Sequence, residues 1–335
     1  MRAFIVSLSL LTALLTGSPA QAACDPEGEV RFICGLGDPE DLVAVPDTDW
    51  VVASGMKDEG RIDLVRGDGT VHRVFPEGAG ASPDTATFGA CPGEVRDRFQ
   101  PHGVSLRPGP DGRHTLYVVR HGAREAVEVF ELDASSNEPS LTWTGCAIAP
   151  EGVSLNSVTA LPEGRFAATN FNFAQGSVLE WSADDGWSEV AGSPKRGPNG
   201  LVSSTDGRWL YVGGWATKSV IRLARGENGA EPKEVPVGFH VDNVRLGTDG
   251  AVYAAGHNAE TVAGIVGCLN GAGCEGVTNH LARVNVETGD VEEIMNRPSS
   301  DSLKLSTVGL RIGDEVWVGG IAGTERIARI PASEP

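Results

Sequence analysis

The sequence predicts an all-β fold, a six-bladed β-propeller of four-stranded blades. Three observations carry that prediction. One pattern recurs six times, most copies are followed by a second hairpin, and turn formers are abundant, with 44 Gly and 20 Pro in 335 residues. The pattern is a polar pair, a β-rich run, a turn with Asp, Gly or Pro, a second β-rich run, then Gly or Asn.

Its copies begin at Glu40 (EDLVAVPDTDWVVASG), His102, Asn156, Asn199 (NGLVSSTDGRWLYVGGWA), Asp242 and Thr307, 43 to 65 residues apart. Asp-Gly and Thr-Gly turns between β-branched runs are hairpin signals. The second hairpins include SVLEWSADDGWSEVA and LARVNVETGDVEEIM. The C-terminal TERIARI leaves the last blade one strand short, and the early GEVRFIC is expected to supply it and close the ring, removing exposed edges. A β-sandwich is the competing architecture, and six phased units argue against it. Two long segments, Pro76–Gln100 and Ala259–His280, are expected to cover the channel mouth as lids.

Residues 1–22 read as a secretory signal: Arg2, an apolar stretch from Ile5 to Leu15, and Ala20-Gln21-Ala22 as a cleavage site. Residues 23–335 are then one propeller domain, periplasmic or secreted, with no other stretch approaching membrane length. Six cysteines in an oxidising compartment favour disulfides. Cys268 and Cys274 enclose a Gly-rich loop and pair first; Cys24–Cys34 and Cys91–Cys146 follow by elimination. Zinc is the rival reading, but no CxxC or adjacent His supports it. The net charge of −18 opposes nucleic acid and anionic membrane surfaces.

Repeat phase places the opening residues of all six units around one end of the channel. Glu40, Asn156, Asn199, Asp242 and Asn243 would converge there, offering only oxygens. Converging acids need a cation, and an oxygen-only set suits Ca²⁺ rather than zinc or copper. Asx residues also open strands as ordinary turn formers; five at equivalent positions argue for a site. His102 opens the second unit and His121 ends its return strand, so one imidazole could orient the other as a general base. His257, Phe171, Phe173 and Trp215 are candidates for substrate contact, with interblade packing as the alternative for the aromatics. GxSxG, HExxH and P-loop motifs are absent.

These residues resemble the paraoxonase/arylesterase family of calcium-dependent lactonases, within the gluconolactonase-like propellers. The matching pieces are PEDLV (39–43), PHGVSL (101–106), LYVVRHG…VEVFEL (116–132), SLNSV (154–158), GPNGL (197–201), VDNVRL (241–246), GHN (256–258) and STV (306–308). The resemblance implies catalytic calcium on Glu40, Asn156, Asn199, Asp242 and Asn243, a His102–His121 dyad, and lactone or aryl-ester substrates. It also implies a second, structural calcium held by an Asp after each of the first two motifs. Asp41 is present, but Ser157 stands at the other position. The family's disulfide to a C-terminal cysteine cannot form here, since no Cys follows Cys274.

The expected function is a calcium-dependent hydrolase with His102, or alternatively Asp242, as base. The rivals are a non-catalytic calcium-stabilised propeller binding a ligand or protein, a quinone-dependent sugar dehydrogenase, and a strictosidine-synthase-like enzyme. A dehydrogenase would need basic residues for the cofactor's carboxylates, and the mouth is acidic and amide-rich. The condensing chemistry does not need the oxygen cage.

Overall fold

A computed structural model describes residues 24–57, 59–226 and 231–332; the expected signal segment 1–22 lies outside them. Six sheets, each built on four antiparallel strands, surround an axis. Their innermost strands are Pro39–Ala44, Phe99–Arg107, Leu155–Ala160, Pro198–Ser203, His240–Leu246 and Leu305–Ile312, each neighbouring the next in a ring. The fold is a six-bladed β-propeller. The last sheet joins Leu305–Ile312, Glu315–Ile321 and Arg326–Pro331 to Arg31–Cys34, which pairs antiparallel with Arg326–Pro331 as its outermost strand.

Strand alternation puts one side-chain set of each blade against each neighbour, so the core is distributed over the interfaces between blades. Blades one and two share Trp50, Phe75, Phe99, Phe130 and Trp143; blades six and one share Ile33, Leu42, Leu310 and Trp317. The Asp-Gly hairpins form as the sequence indicates, with Gly207 and Gly250 at φ of 68° and 79°, a region open to glycine without Cβ strain. All three expected disulfides are present: Cys24–Cys34, Cys91–Cys146 and Cys268–Cys274. Among the described residues no helix is long and apolar enough to cross a membrane.

The two long segments differ in placement. Gly80–Ala81 adds parallel to Ser140–Ile148 as a fifth, outer strand of blade two, and Cys91 is tied to Cys146 in that same neighbour. The segment's end is pinned by buried Arg120, which donates to Val95 O, Asp97 O and Arg98 O at 2.8, 3.0 and 3.0 Å. Up to Cys91, the expected lid 76–100 is therefore a strap on the rim of blade two, because unpaired edge groups there find partners. The segment 259–280 carries a short helix, Val262–Leu269, whose Ile265 and Cys268 pack with Trp215, Leu305 and Ile321.

Candidate active site

Five of the six inner strands carry the candidate residues, and a backbone irregularity aims them. Where each inner strand pairs with its neighbour, the register slips by one residue. The slips fall at Glu40, at His102-Gly103, at Asn156-Ser157, at Asn199-Gly200, at Asp242-Asn243 and at Thr307. A bulge of this kind bends the strand and re-aims a side chain that regular pleating would send into a blade interface. Six repeats of one bulge at one end of the channel make a ring of inward polar groups.

Glycines allow the close approach. A Cβ on Gly103 would lie 2.6 Å from Ser157 Cα, and one on Gly200 would lie 2.4 Å from Asp242 O. Gly200→Ala should therefore cost at least about 1–3 kcal/mol, the usual range for overpacking. Thermal unfolding checks this, and a melting temperature equal to that of the parent protein would refute the tight fit at the axis.

Glu40 is fully buried, and its Oε1 accepts from Asn243 Nδ2 at 2.5 Å and lies 3.5 Å from His102 Nε2. Asn156 Nδ2 lies 3.4 Å from His102 Nε2, while Asp242 is hydrogen-bonded by Asn199. Thr307 of blade six braces the cluster by donating to Glu40 O at 2.7 Å. The structure thus brings together Glu40, Asn156, Asn199, Asp242, Asn243 and His102. Four buried oxygens of this cluster have no hydrogen-bond partner among the described residues: Glu40 Oε2, Asn156 Oδ1, Asn199 Oδ1 and Asn243 Oδ1. Orphaned buried acceptors are costly, and a hard cation is the partner such a set fits. Among the described residues no three His, Cys, Asp or Glu side chains are grouped to hold a metal. The present set draws instead on three amides.

The two carboxyls of the cluster are strongly perturbed by burial and by neighbouring carboxylates. Burial, then the charges of Asp41 and Asp242, hold the Glu40 carboxyl well above the usual carboxylate range. Burial and Asp41 push Asp242 up to about 8, against a hydrogen bond from Asn199.

His102 Nδ1 and His121 Nε2 are 2.8 Å apart, and His121 Nδ1 lies 2.8 Å from Glu125 Oε2. Glu125 was not singled out from the sequence. Its one signal there is a carboxylate four residues beyond His121, across a hairpin turn. Its other oxygen accepts from Leu155 N at 2.6 Å, which fixes the carboxylate. An ionised carboxylate only accepts, so His121 carries its proton on Nδ1 and offers the Nε2 lone pair to His102 Nδ1–H. The lone pair of His102 Nε2 then faces Glu40 and Asn156. Burial, and secondarily the repulsion that would arise were both His102 and His121 protonated, hold the His102 pKa well below the usual histidine value.

The remaining candidates have other partners. His257 is 3% exposed; Trp215 Nε1 donates to its Nε2 at 3.2 Å, and its Nδ1 donates to Ser306 O at 3.2 Å. With both nitrogens used and burial lowering its pKa to about 4, His257 props Trp215 and has no free nitrogen for substrate. His240, unmarked by repeat phase, stacks on Trp215 at 4.1 Å. Phe171, Phe173 and Trp215 form an edge-to-face cluster with centroids 5.2 to 6.3 Å apart, and Phe173 is 56% exposed. Asp41 turns away from the cage. Its Oδ1 pairs with Arg245 and accepts from Leu42 N at 2.9 Å, and its Oδ2 accepts from Val104 N at 2.8 Å.

No family model matches the chain. In sequence it is similar to human serum paraoxonase/lactonase 3, with 26% identity over 167 residues, or 45% of this chain and 47% of that protein. The chain thus aligns with about half the length of this curated relative. In fold it is similar to a gluconolactonase of Xanthomonas campestris (TM-score 0.57, 13% identity, 91% and 89% of the two chains covered). It is also similar to a hydrazine synthase of Kuenenia stuttgartiensis (0.52, 14%, 90% and 77%) and to a chain of a nidogen/laminin complex (0.50, 12%, 83% and 83%). At these identities the structural likeness is one of fold alone. The sequence match supports the family resemblance that the motifs carry.

Proposed function

We propose that this chain is a calcium-dependent hydrolase of lactones or aryl esters, exported to the periplasm or outside the cell. The observation that carries the reading is the set of four unpartnered buried oxygens beside the His102–His121 pair. Glu40, Asn156, Asn199, Asp242 and Asn243 would hold the ion. Bound there, calcium supplies Lewis-acid polarisation of a substrate carbonyl and charge stabilisation of the oxyanion that develops.

The chain's own groups do the rest. His102 Nε2 takes the proton from the attacking water. The positive charge that develops on His102 is shared with His121 through the 2.8 Å contact and offset by Glu125. Buried and uncharged at neutral pH, His102 is available as a base without prior deprotonation. Trp215, held by His257 and His240, and Phe171 and Phe173 give an apolar wall for the substrate's acyl or aryl part. Three disulfides fit an oxidising compartment, which supports export.

The test is a panel of lactones and aryl esters assayed before and after complete chelation. Turnover that vanishes with the metal and returns with added calcium supports the reading. Turnover that survives chelation sinks it. A calcium-dependent melting temperature with no turnover on any substrate would instead identify a non-catalytic binding propeller.

A further inference from the structure

Below the cage, the channel holds a buried arginine that no repeat motif marks. Arg245 comes from the inner strand of blade five and reaches across to blades one and two. Its Nε donates to Leu42 O at 2.8 Å, its Nη1 to Val244 O at 2.8 Å and its Nη2 to Val104 O at 3.1 Å. The same Nη2 pairs with Asp41 Oδ1, and both Arg245 and Asp41 are buried. The guanidinium borders a cavity of about 270 Å³ at the far end of the channel, lined among others by Val104, Thr159, Leu201 and Leu310. It therefore lies between that opening and the cage.

The residues do not fit the second calcium that the family resemblance implies. A divalent ion there would need Asp41 and neighbouring backbone oxygens, yet each of these oxygens already accepts a hydrogen bond. Asp41 Oδ2 accepts from Val104 N, Oδ1 from Leu42 N and Arg245, and the carbonyls of Leu42 and Val104 from Arg245. Ser157 supplies no carboxylate, and its Oγ accepts from Leu201 N at 3.1 Å. A second divalent ion would also face the fixed positive charge of a guanidinium in a buried channel.

We infer that Arg245 is the resident cation of the lower channel, so that this chain binds one calcium and holds its axis together without a second. The one-ion count rests on the reading proposed above for the upper cage. The guanidinium ties blades one, two and five through Asp41 and Leu42, Val104 and Val244, which lie within two residues after Glu40, His102 and Asn243. Calcium then governs catalysis, and the fold survives its removal.

The experiment measures calcium per chain by elemental analysis after equilibration with excess calcium, and melting temperature with and without chelator. One ion per chain and a chelated protein that stays folded at ambient temperature are expected. Two ions overturn the inference and leave the catalytic cage standing, whereas zero ions overturn both, so the count separates the failures. Arg245→Met should give a protein that binds a second calcium at Asp41 and whose melting temperature now depends strongly on it. Should that variant fail to fold, Asp41→Asn combined with Arg245→Met removes both charges, a change buried pairs often tolerate. This double variant is expected to fold and to return to one ion. An Arg245→Met protein that keeps the one-ion count and calcium response of the parent, or a double variant that binds two ions, would overturn the role of the guanidinium.

Discussion

Glu40→Gln is expected to yield a folded protein without the calcium-dependent turnover proposed for the parent. The fold should survive because the metal-free chain already favours a neutral group at this position, burial and two nearby carboxylates holding Glu40 well above its ordinary pKa. Glutamine copies that protonated carboxyl and can still accept from Asn243 Nδ2, so the melting temperature in chelator should match or exceed that of the parent. With calcium the two proteins part. The parent gains about 2.7 kcal/mol at a hundredfold excess of ion over its Kd, and the variant gains less. A drop in kcat/KM of about 10³-fold or more is expected, the scale of losing the main charge-stabilising element of an acyl-transfer site. Retained turnover with normal calcium dependence would remove Glu40 from the cage.

The same site predicts a pH dependence of metal binding. Asp242, pushed up to about 8, holds a proton at neutral pH in the metal-free fold, while the unfolded chain has lost it. This contribution stabilises the metal-free fold at low pH and is lost as pH rises from the ordinary carboxylate range through about 8. Calcium must displace that proton, so its affinity rises across the same window. Calcium titrations followed by melting temperature at several pH values within that window read both trends.

How much of this was legible in the sequence follows from what a repeat can encode. Phase alone groups Glu40, Asn156, Asn199 and Asp242, because equivalent positions of a cyclic repeat share a location whatever the details of the strands. The bulges are invisible in that phase, yet they decide direction: without the extra residue at Glu40 or Asn199, side-chain alternation would shift the polar group off the axis. Three further features escaped for a different reason. Glu125 sits in a hairpin turn, outside the repeated segment. Arg245 lies on an inner strand but reaches across the channel to blades one and two, which no local pattern shows. Gly80–Ala81 reads as loop because two residues carry no periodicity, and only the outer edge of blade two gives them partners. His257 was legible as to place but not as to role, since Trp215, 42 residues away, determines what its nitrogens do.

Glu125→Gln separates a relay from a merely structural contact. In the present arrangement a carboxylate fixes the His121 proton on Nδ1, which leaves the lone pair of His102 Nε2 towards the cage. A glutamine can present its NH₂ to His121 Nδ1, which reverses the hydrogen-bond polarity along the chain and places a proton on the wrong nitrogen of His102 in part of the population. It also removes the negative charge that offsets the imidazolium formed when water is deprotonated. Both effects lower kcat while KM changes little, because no substrate contact is lost. His102→Gln removes the base outright and should cost about 10²–10⁴-fold in kcat, the usual worth of general base catalysis. Glu125→Gln should cost less. Its distinctive mark is in the pH profile of kcat: without the carboxylate the histidine pair is less basic, so the plateau falls and the acidic limb moves to lower pH. A structural defect would lower the melting temperature and the amount of active enzyme without moving that limb. An unshifted limb with an undiminished plateau would leave His102 and His121 acting without Glu125.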